Sequence, residues 1–562
     1  MWKLKAESED RFYSWWIGLS RKSRMRISLA FLGLFSSLSF MFLADDEILG
    51  ETGSYAFFEE CLGFFFVALF GFFFGFLVNL RRKGESTVET LFCVFLYWLF
   101  YFIGALYWLV YPLTIDFNLY WFLVPFALIA IPAYLAVPLL LPAYITKKFC
   151  ENVWISAFVF ATLTCLVMYL QGHYAPGFPW ALPGYVWGHN INLMQGLSIW
   201  GIYGQTFFTL LMGSIFGVFM VGLKDSSTSD AEELSEIEVF EKFRRSEINF
   251  SEELEKVDFK KSGLSLTILL IAFSSLSIFG NIRLSENPMK YTSYKIRCVQ
   301  GSIPQKDKMD KNLSARNLDL YLNLSRMKSR YDNWNPDFLV WPEATIPYLF
   351  TDKSETLIKK LSSVVPYNGF LLTGAVRKDS FSGNVYNSVI VLDEFGRNIA
   401  NYDKKHLVPF GEYIPFRQFI PGFFAPIANS IGDFAVGRNS NIIELKGLRM
   451  ALTICYEAIF SGEFISNDSD VDVIVNVTND AWFGHTSEPI QHLNIVRARA
   501  IEEGIPLIRV TNFGISAIFD AYGRKVDFLR TDEIGVIDCY IPKKIKKTFF
   551  RKFFMDKMKL KQ

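Results

Sequence analysis

The chain has 562 residues, of which 51% are hydrophobic and 17% aromatic, and its formal net charge is +1. It is long enough for more than one domain and too apolar for an ordinary soluble enzyme. The near-balance of charge argues against a polyanion-binding protein, so no nucleic acid partner is expected.

Almost all of the apolar excess lies before residue 283, in seven predicted spans over 27–44, 61–80, 91–110, 119–145, 153–170, 202–223 and 264–282. Each approaches the about 20 residues a helix needs to cross a bilayer core, where interior Pro and Gly are tolerated. No small-residue cleavage site follows the first span, so it is expected to be retained. Lys and Arg collect in every second connection: Arg21, Lys22, Arg24 and Arg26, then Arg81, Arg82 and Lys83, then Lys147 and Lys148, then Lys224, Lys242, Arg244, Arg245, Lys260 and Lys261. The alternate connections are acidic or nearly uncharged, with Asp45, Asp46 and Glu47 in the first. This asymmetry predicts a cytoplasmic amino terminus, and an odd number of spans then delivers everything after Ile282 to the outer face. The 171–201 connection carries Phe178, Trp180, Tyr185 and Trp187 among Gly and Pro, which reads as an aromatic belt at the headgroup boundary or as a lipid entry.

After residue 283, β-rich runs alternate with helical stretches: 295–300, 338–341, 370–375, 387–392, 448–454, 471–476 and 506–510 as strands, 317–330, 354–363 and 491–503 as helices. That interleaving predicts one layered α/β domain over 284–545, behind a membrane domain over 1–283. A short basic tail, 546–562, reads as a surface amphipathic segment or a frayed end. Charged residues at strand ends are site candidates in such folds. Cys455 closes the run Met450-Ala451-Leu452-Thr453-Ile454 and is followed by Tyr456 and Glu457; Glu343 closes Phe338-Leu339-Val340-Trp341-Pro342; Lys404 precedes Pro409-Phe410-Gly411-Glu412. Carboxylate, ammonium and thiol in that order suggest acyl transfer through a thioester. Lys405 competes with Lys404 on residue type alone.

Seven cysteines are too few for a disulfide scaffold. Cys61, Cys93, Cys150 and Cys165 lie in or beside apolar segments, and Cys298 and Cys539 read as core residues of the first and last strands. His406, His485 and His492 lack a companion set at metal-binding spacing and read as structural, so no metal or cofactor is expected.

Trp341-Pro342-Glu343, Lys404 within Tyr402-Asp403-Lys404-Lys405-His406-Leu407-Val408-Pro409-Phe410-Gly411-Glu412, and Ile454-Cys455-Tyr456-Glu457 resemble the three catalytic segments of the nitrilase superfamily. The second and third, with Asn476-Val477-Thr478-Asn479-Asp480-Ala481-Trp482-Phe483-Gly484, resemble the apolipoprotein N-acyltransferase family. Val299-Gln300-Gly301-Ser302-Ile303-Pro304-Gln305 and Arg509-Val510-Thr511-Asn512-Phe513-Gly514 agree with it.

The resemblance implies an α-helical multi-pass membrane domain followed by a nitrilase-like αββα sandwich on the periplasmic side of the bacterial inner membrane. It also implies Glu343 as general base, Lys404 as oxyanion stabiliser and Cys455 as nucleophile, with Glu412, Tyr456 and Glu457 supporting. The implied partners are a membrane phospholipid as acyl donor and a diacylglyceryl apolipoprotein as acceptor, served by a monomer. A membrane-tethered amidase and an idle scaffold are the alternatives. Two departures stand out: Met309 occupies the place where the family usually has tryptophan, and the short basic tail replaces a further membrane helix found in many members.

Overall fold

The computed structural model describes residues 19–41, 56–174, 177–227, 259–351, 354–414, 433–463, 465 and 470–555. The acidic residues 45–47, the cations Lys242, Arg244 and Arg245, and residues 556–562 of the tail lie outside the described residues.

Six helical stretches are long and apolar enough to cross a membrane: 60–82, 87–105, 121–149, 153–173, 197–222 and 262–285. They belong to α2 (Ala56–Arg82), α3 (Thr87–Ala105), an interrupted span, α4 (Val153–His173), α5 (Leu197–Ser227) and α6 (Phe259–Ser285). The first of the seven expected spans falls on the helix α1 (Arg21–Met41), which is not among these six and whose opening turns carry Arg21, Lys22, Arg24 and Arg26. α1 packs on α3, where Arg26 makes a two-pronged ion pair with Glu89 (2.9 and 2.7 Å) and Tyr97 donates to Ser36 (3.0 Å). Small residues let α2 and α5 approach closely, as an added Cβ on Gly71 would sit 2.7 Å from the Gly213 carbonyl. Pro125, Pro132, Pro138 and Pro142 break the third span into short turns, including a π turn over Phe126–Ala130.

The aromatic connection after α4 is folded inward. Trp180, Tyr185 and Trp187 are buried, so these rings are core residues rather than a headgroup belt. Each polar tip has a partner: Trp180 donates to Gln491 (2.8 Å), Trp187 donates to Thr209 (2.8 Å), and Tyr185 accepts from Arg499 (3.0 Å).

Beyond α6 the chain forms two stacked sheets. The first holds β1 (Tyr291–Gln300), β2 (Phe338–Val340), β3 (Ile346–Phe350), β4 (Phe370–Lys378), β5 (Val385–Asp393), β6 (Asn398–Asp403) and β13 (Gly535–Pro542), in the order β13-β1-β2-β4-β5-β6 with β3 beside β4. The second holds β7 (Ile442–Leu445), β8 (Leu448–Ile454), β9 (Val473–Thr478), β10 (Leu507–Thr511), β11 (Ser516–Phe519) and β12 (Lys525–Leu529), in the order β12-β11-β10-β9-β8-β7. Strands β1, β2 and β4 run parallel, as do β8, β9 and β10.

Alternate side chains of both sheets meet in one core that includes Ile296, Val340, Leu372 and Val391 from the first and Leu452, Ile454, Val475 and Val510 from the second. Cys298 and Cys539 lie in β1 and β13, buried as expected. Helices α7 (Ser314–Ser325) and α8 (Glu355–Ser362) cover the first sheet through Leu318, Tyr321, Leu322 and Leu361. Helix α9 (Glu488–Glu503) covers the second through Leu493, Val496 and Ala500, completing an αββα sandwich.

The other face of α9 faces the membrane half: Ile495, Ala498 and Ile501 share a core with the buried residues of α2, α3 and α5. Its polar side chains are buried too. Gln491 accepts from the indoles of Trp108 (3.2 Å) and Trp180 (2.8 Å) and donates to the carbonyls of Phe40 (3.3 Å) and Ala105 (3.2 Å). Glu502 accepts the Ile202 amide (2.7 Å) just where α5 restarts after the kink at Gly201, so its carboxylate caps that helix. The start of the tail lies on the same wall, with Phe550 packed at Gly201 and Arg551 paired to Glu503 (3.6 Å), while Phe549 and Phe553 stack on each other in the open.

Gln491→Ala takes the partner from the buried Trp180 indole, removes a donor from the Phe40 carbonyl, and leaves the Trp108 indole and the Ala105 carbonyl to each other (3.1 Å). It is expected to cost about 2–4 kcal/mol and to lower the unfolding temperature of the detergent-purified protein by several degrees, read by intrinsic tryptophan fluorescence.

Candidate active site

The parallel strands bring their carboxyl ends to one side of the sandwich, and the chemistry collects there. Glu343 follows β2, Lys404 follows β6, Cys455 follows β8 and Asp480 follows β9. Cys455 has φ +50°, a left-handed conformation that a non-glycine residue adopts only when its surroundings hold it. The chain leaves β8 and turns at once into the short helix Cys455–Ile459, so the thiol stands at the corner between strand and helix.

Glu457 fixes that corner. Its carboxylate accepts the amides of Ile454 (2.8 Å), Lys405 (2.7 Å) and His406 (3.3 Å), and the Tyr402 hydroxyl (2.7 Å). It therefore ties the loop bearing Lys404 to the end of the strand bearing Cys455. Burial pushes the Glu457 carboxyl upward against the opposing pull of those donors.

Lys404 is buried, whereas Lys405 is exposed. The Lys404 ammonium lies 3.0 Å from Glu412 and 3.4 Å from Glu343. Burial opposes its charge, but Glu412 and Glu343 outweigh that and hold its acid dissociation well above the ordinary lysine range. Lys404 is thus a fixed cation. Asn387 of β5 donates its amide to both carboxylates, at 2.8 Å to Glu343 and 2.7 Å to Glu412, and Glu412 also accepts the Val408 amide (2.8 Å).

The Cys455 thiol feels Glu343, Lys404 and Asp480 and is hydrogen-bonded with Thr478. Burial, then Glu343 and Asp480, raise its pKa well above the usual thiol value, while Lys404 and Thr478 oppose the rise. A resting thiol is therefore protonated at neutral pH and needs a base to become a nucleophile. Tyr456 is buried, donates to the Gly177 carbonyl (2.8 Å) and packs on Phe178 and Phe460, so it joins the Cys455 turn to the aromatic connection of the membrane half.

Behind the thiol lies a buried ionic cluster. Asp480 pairs with Arg509 (2.5 Å) and with His492 (3.3 Å), and His492 lies 3.4 Å from Glu488. The ligand atoms of Asp480, Glu488 and His492 are within 4.8 Å of one another, a spacing a cation would accept, and the Arg509 guanidinium already supplies positive charge there. His492, read from sequence as structural, is part of this cluster. Burial pushes Glu488 up to about 7.

All six residues singled out in the sequence fall in or beside this site. Sequence reasoning missed Asn387, Thr478, Asp480 and Lys308, whose ammonium donates to the Glu343 carbonyl (2.9 Å). A polar residue inside the β-run Val385-Tyr386-Asn387-Ser388-Val389 was the available signal for Asn387.

Residues 295–547 match the carbon-nitrogen hydrolase family, and residues 52–215 match the apolipoprotein N-acyltransferase N-terminal domain. The chain is 32% identical over 489 residues to the apolipoprotein N-acyltransferase of Rickettsia prowazekii (strain Madrid E), covering 86% of this chain and 89% of that protein. The chain belongs to the apolipoprotein N-acyltransferase family. The Brucella melitensis biotype 1 protein of the same name is 32% identical over 451 residues, covering 79% of this chain and 78% of that one. Among solved structures, XC1258 of Xanthomonas campestris, a CN-hydrolase superfamily protein, is 20% identical with a TM-score of 0.33, covering 44% of this chain and 90% of that chain.

Lys404→Ala should lower acyl transfer about a hundredfold or more, because it removes the buried cation beside Glu343. Lys405→Ala should change it little. Initial rates of the two purified variants, with matched circular dichroism, test the difference.

Proposed function

We propose that this protein is an apolipoprotein N-acyltransferase that moves a fatty acyl chain from a phospholipid, through a Cys455 thioester, to the α-amine of a diacylglyceryl-cysteine on an apolipoprotein. The observation that carries this reading is the assembly of Glu343, Lys404 and Cys455 at one end of the sandwich, with Tyr456 bonded directly to the membrane half.

In the first half-reaction the Glu343 carboxylate takes the thiol proton and the sulfur attacks the ester carbonyl, forming a C–S bond. Lys404 stabilises the oxyanion of the tetrahedral intermediate, a role worth roughly 3–4 kcal/mol. The ester C–O bond then breaks, and Glu343 returns its proton to the departing lysophospholipid oxygen. In the second half-reaction the neutral α-amine attacks the thioester carbonyl. Glu343 takes a proton from nitrogen, the C–S bond breaks, and the thiolate recovers the proton as the amide forms. Glu412 and Asn387 keep Lys404 and Glu343 in register, and Glu457 holds the turn that presents Cys455.

Both substrates are anchored by lipid chains, so a site joined to a membrane domain avoids moving those chains into water. That supports a lipid-anchored amine rather than water as the acceptor, and so favours the transferase over a tethered amidase. A complete catalytic set in a buried, hydrogen-bonded site favours an enzyme over an idle scaffold. The placement of Lys and Arg supports a multi-pass inner-membrane protein with the sandwich on the periplasmic side.

Purified protein mixed with phospholipid should gain a hydroxylamine-labile acyl mass on the peptide carrying Cys455, and Cys455→Ser should not. An adduct on Cys298 or Cys539 instead would displace Cys455 as the nucleophile.

For the orientation, a reporter active only outside the cytoplasm should be active when fused after Gln300 and silent after Glu233. The reverse pattern would put the thiol in the cytoplasm and end the lipoprotein reading.

A further inference from the structure

Lys308 sits on the single helical turn Gln305–Met309 that follows β1. At the end of this turn Met309 is 60% exposed, while Lys308 extends to the Glu343 carbonyl at 2.9 Å. The turn is pinned from below. Gln305 accepts from Asn479 (2.9 Å), Asn479 accepts from Asn512 (2.9 Å), and Asn512 bonds both the carbonyl (2.8 Å) and the amide (3.2 Å) of Ile303. Asn317 of α7 also donates to the Asp307 carbonyl (3.1 Å). The position of Lys308 is therefore set by the fold.

The charges around the thiol explain why a second cation belongs there. Lys404 lies between Glu343 and Glu412, so two carboxylates face one ammonium. Asp480 adds a further negative charge toward Cys455 and is matched by Arg509. Forming a thiolate places negative charge on sulfur in a site already carrying an excess: the excess persists when Glu343 takes the proton and grows when solvent takes it. Lys308 interacts electrostatically with both Glu343 and Cys455, so its ammonium makes good the deficit.

We propose that Lys308 is a positioning residue of the acyl-transfer site, holding the main chain of Glu343 and supplying the positive charge that offsets the unpaired carboxylate when the Cys455 thiolate forms. The inference rests on the acyl-transfer reading for its role in turnover, but its effect on the thiol does not.

Burial brings the Lys308 ammonium down to about 8, against the upward pull of Glu343 and Cys455. The sign follows directly. The charge is present below that value and supports the thiolate; it is lost as pH rises through it, so thioester formation should decline on the alkaline side. Lys404, held high by Glu412 and Glu343, does not titrate in that range.

The test uses the full-length protein in detergent. Alkylation of Cys455 by iodoacetamide is followed by peptide mass spectrometry from about pH 6 to about pH 10. Lys308→Met should slow alkylation about tenfold at neutral pH, the two rates converging above about pH 8 where the wild-type ammonium is lost. Lys308→Arg should keep the wild-type rate at neutral pH, as should Lys306→Met on the exposed neighbour. Equal slowing in the Met and Arg variants, or none in Met, would overturn the proposal. Should Lys308→Met fail to fold, Lys308→Arg decides alone: its thioester formation should lack the alkaline decline near 8, and persistence of that decline assigns it to another group. If the alkylation result holds while no acyl chain reaches a lipoprotein amine, the acyltransferase reading fails and the role at the thiol stands.

Discussion

The structure depends on α9 being buried on both faces. A helix with Glu488, Gln491, His492, Arg499, Glu502 and Glu503 along it would sit at a surface in most folds, because an unpaired buried charge costs several kcal/mol. Here one side lies on the second sheet and the other on the membrane helices, so Glu488 and His492 are answered within the sandwich while Gln491, Arg499 and Glu502 are answered across the domain boundary. Gln491 answers two indoles and two carbonyls, Arg499 reaches Tyr185 and the Ile459 carbonyl, and Glu502 caps α5 at Ile202. The membrane half and the sandwich are consequently one packed body, whose orientation is fixed by directional bonds rather than by apolar contact alone.

That rigidity reaches Cys455 by a short route. The helix Cys455–Ile459 packs on α9 through Ile459, and Tyr456 is bonded to Gly177 in the aromatic connection. A non-glycine residue at φ +50° carries about 1–3 kcal/mol of strain and persists only where neighbours over-determine it. Glu457 provides this by holding the Ile454 amide on one side and the Lys405 and His406 amides on the other. One carboxylate thus sets the thiol and the ammonium relative to each other.

Much of this was legible in the chain. Aliphatic runs ending in Glu343 and Cys455 read as buried strands with reactive ends, and they are β2 and β8. The 491–503 helix and the 506–510 strand were visible from periodicity and the intervening Gly504-Ile505-Pro506 turn, where Gly504 is left-handed. Choosing Lys404 over Lys405 needed the family register, because two adjacent lysines look alike until one is buried. The short strands β3, β6, β7, β11 and β12 escaped notice, since a few residues carry little periodic signal. The aromatic connection was misread as a belt because Trp and Tyr suit a headgroup layer and a hydrogen-bonded core equally well. Lys308 escaped for a related reason: within Lys306-Asp307-Lys308 it reads as solvated, and only the pinned turn points it at Glu343.

The raised pKa of Cys455 has a chemical logic on the acyl-transfer reading. A thiolate of high basicity is a stronger nucleophile once formed, and a poorer leaving group once acylated. The first property favours attack on a phospholipid ester, whose carbonyl is not strongly activated, provided Glu343 removes the proton in the same step. The second lets the thioester persist until an amine arrives, and an amine is a better nucleophile than water toward a thioester. Lys404 then becomes decisive in both half-reactions, because it stabilises the oxyanion whichever bond breaks next. A site with a more acidic thiol would hold more thiolate at rest but release its acyl group more readily, which suits hydrolysis better than transfer between two lipid-anchored partners.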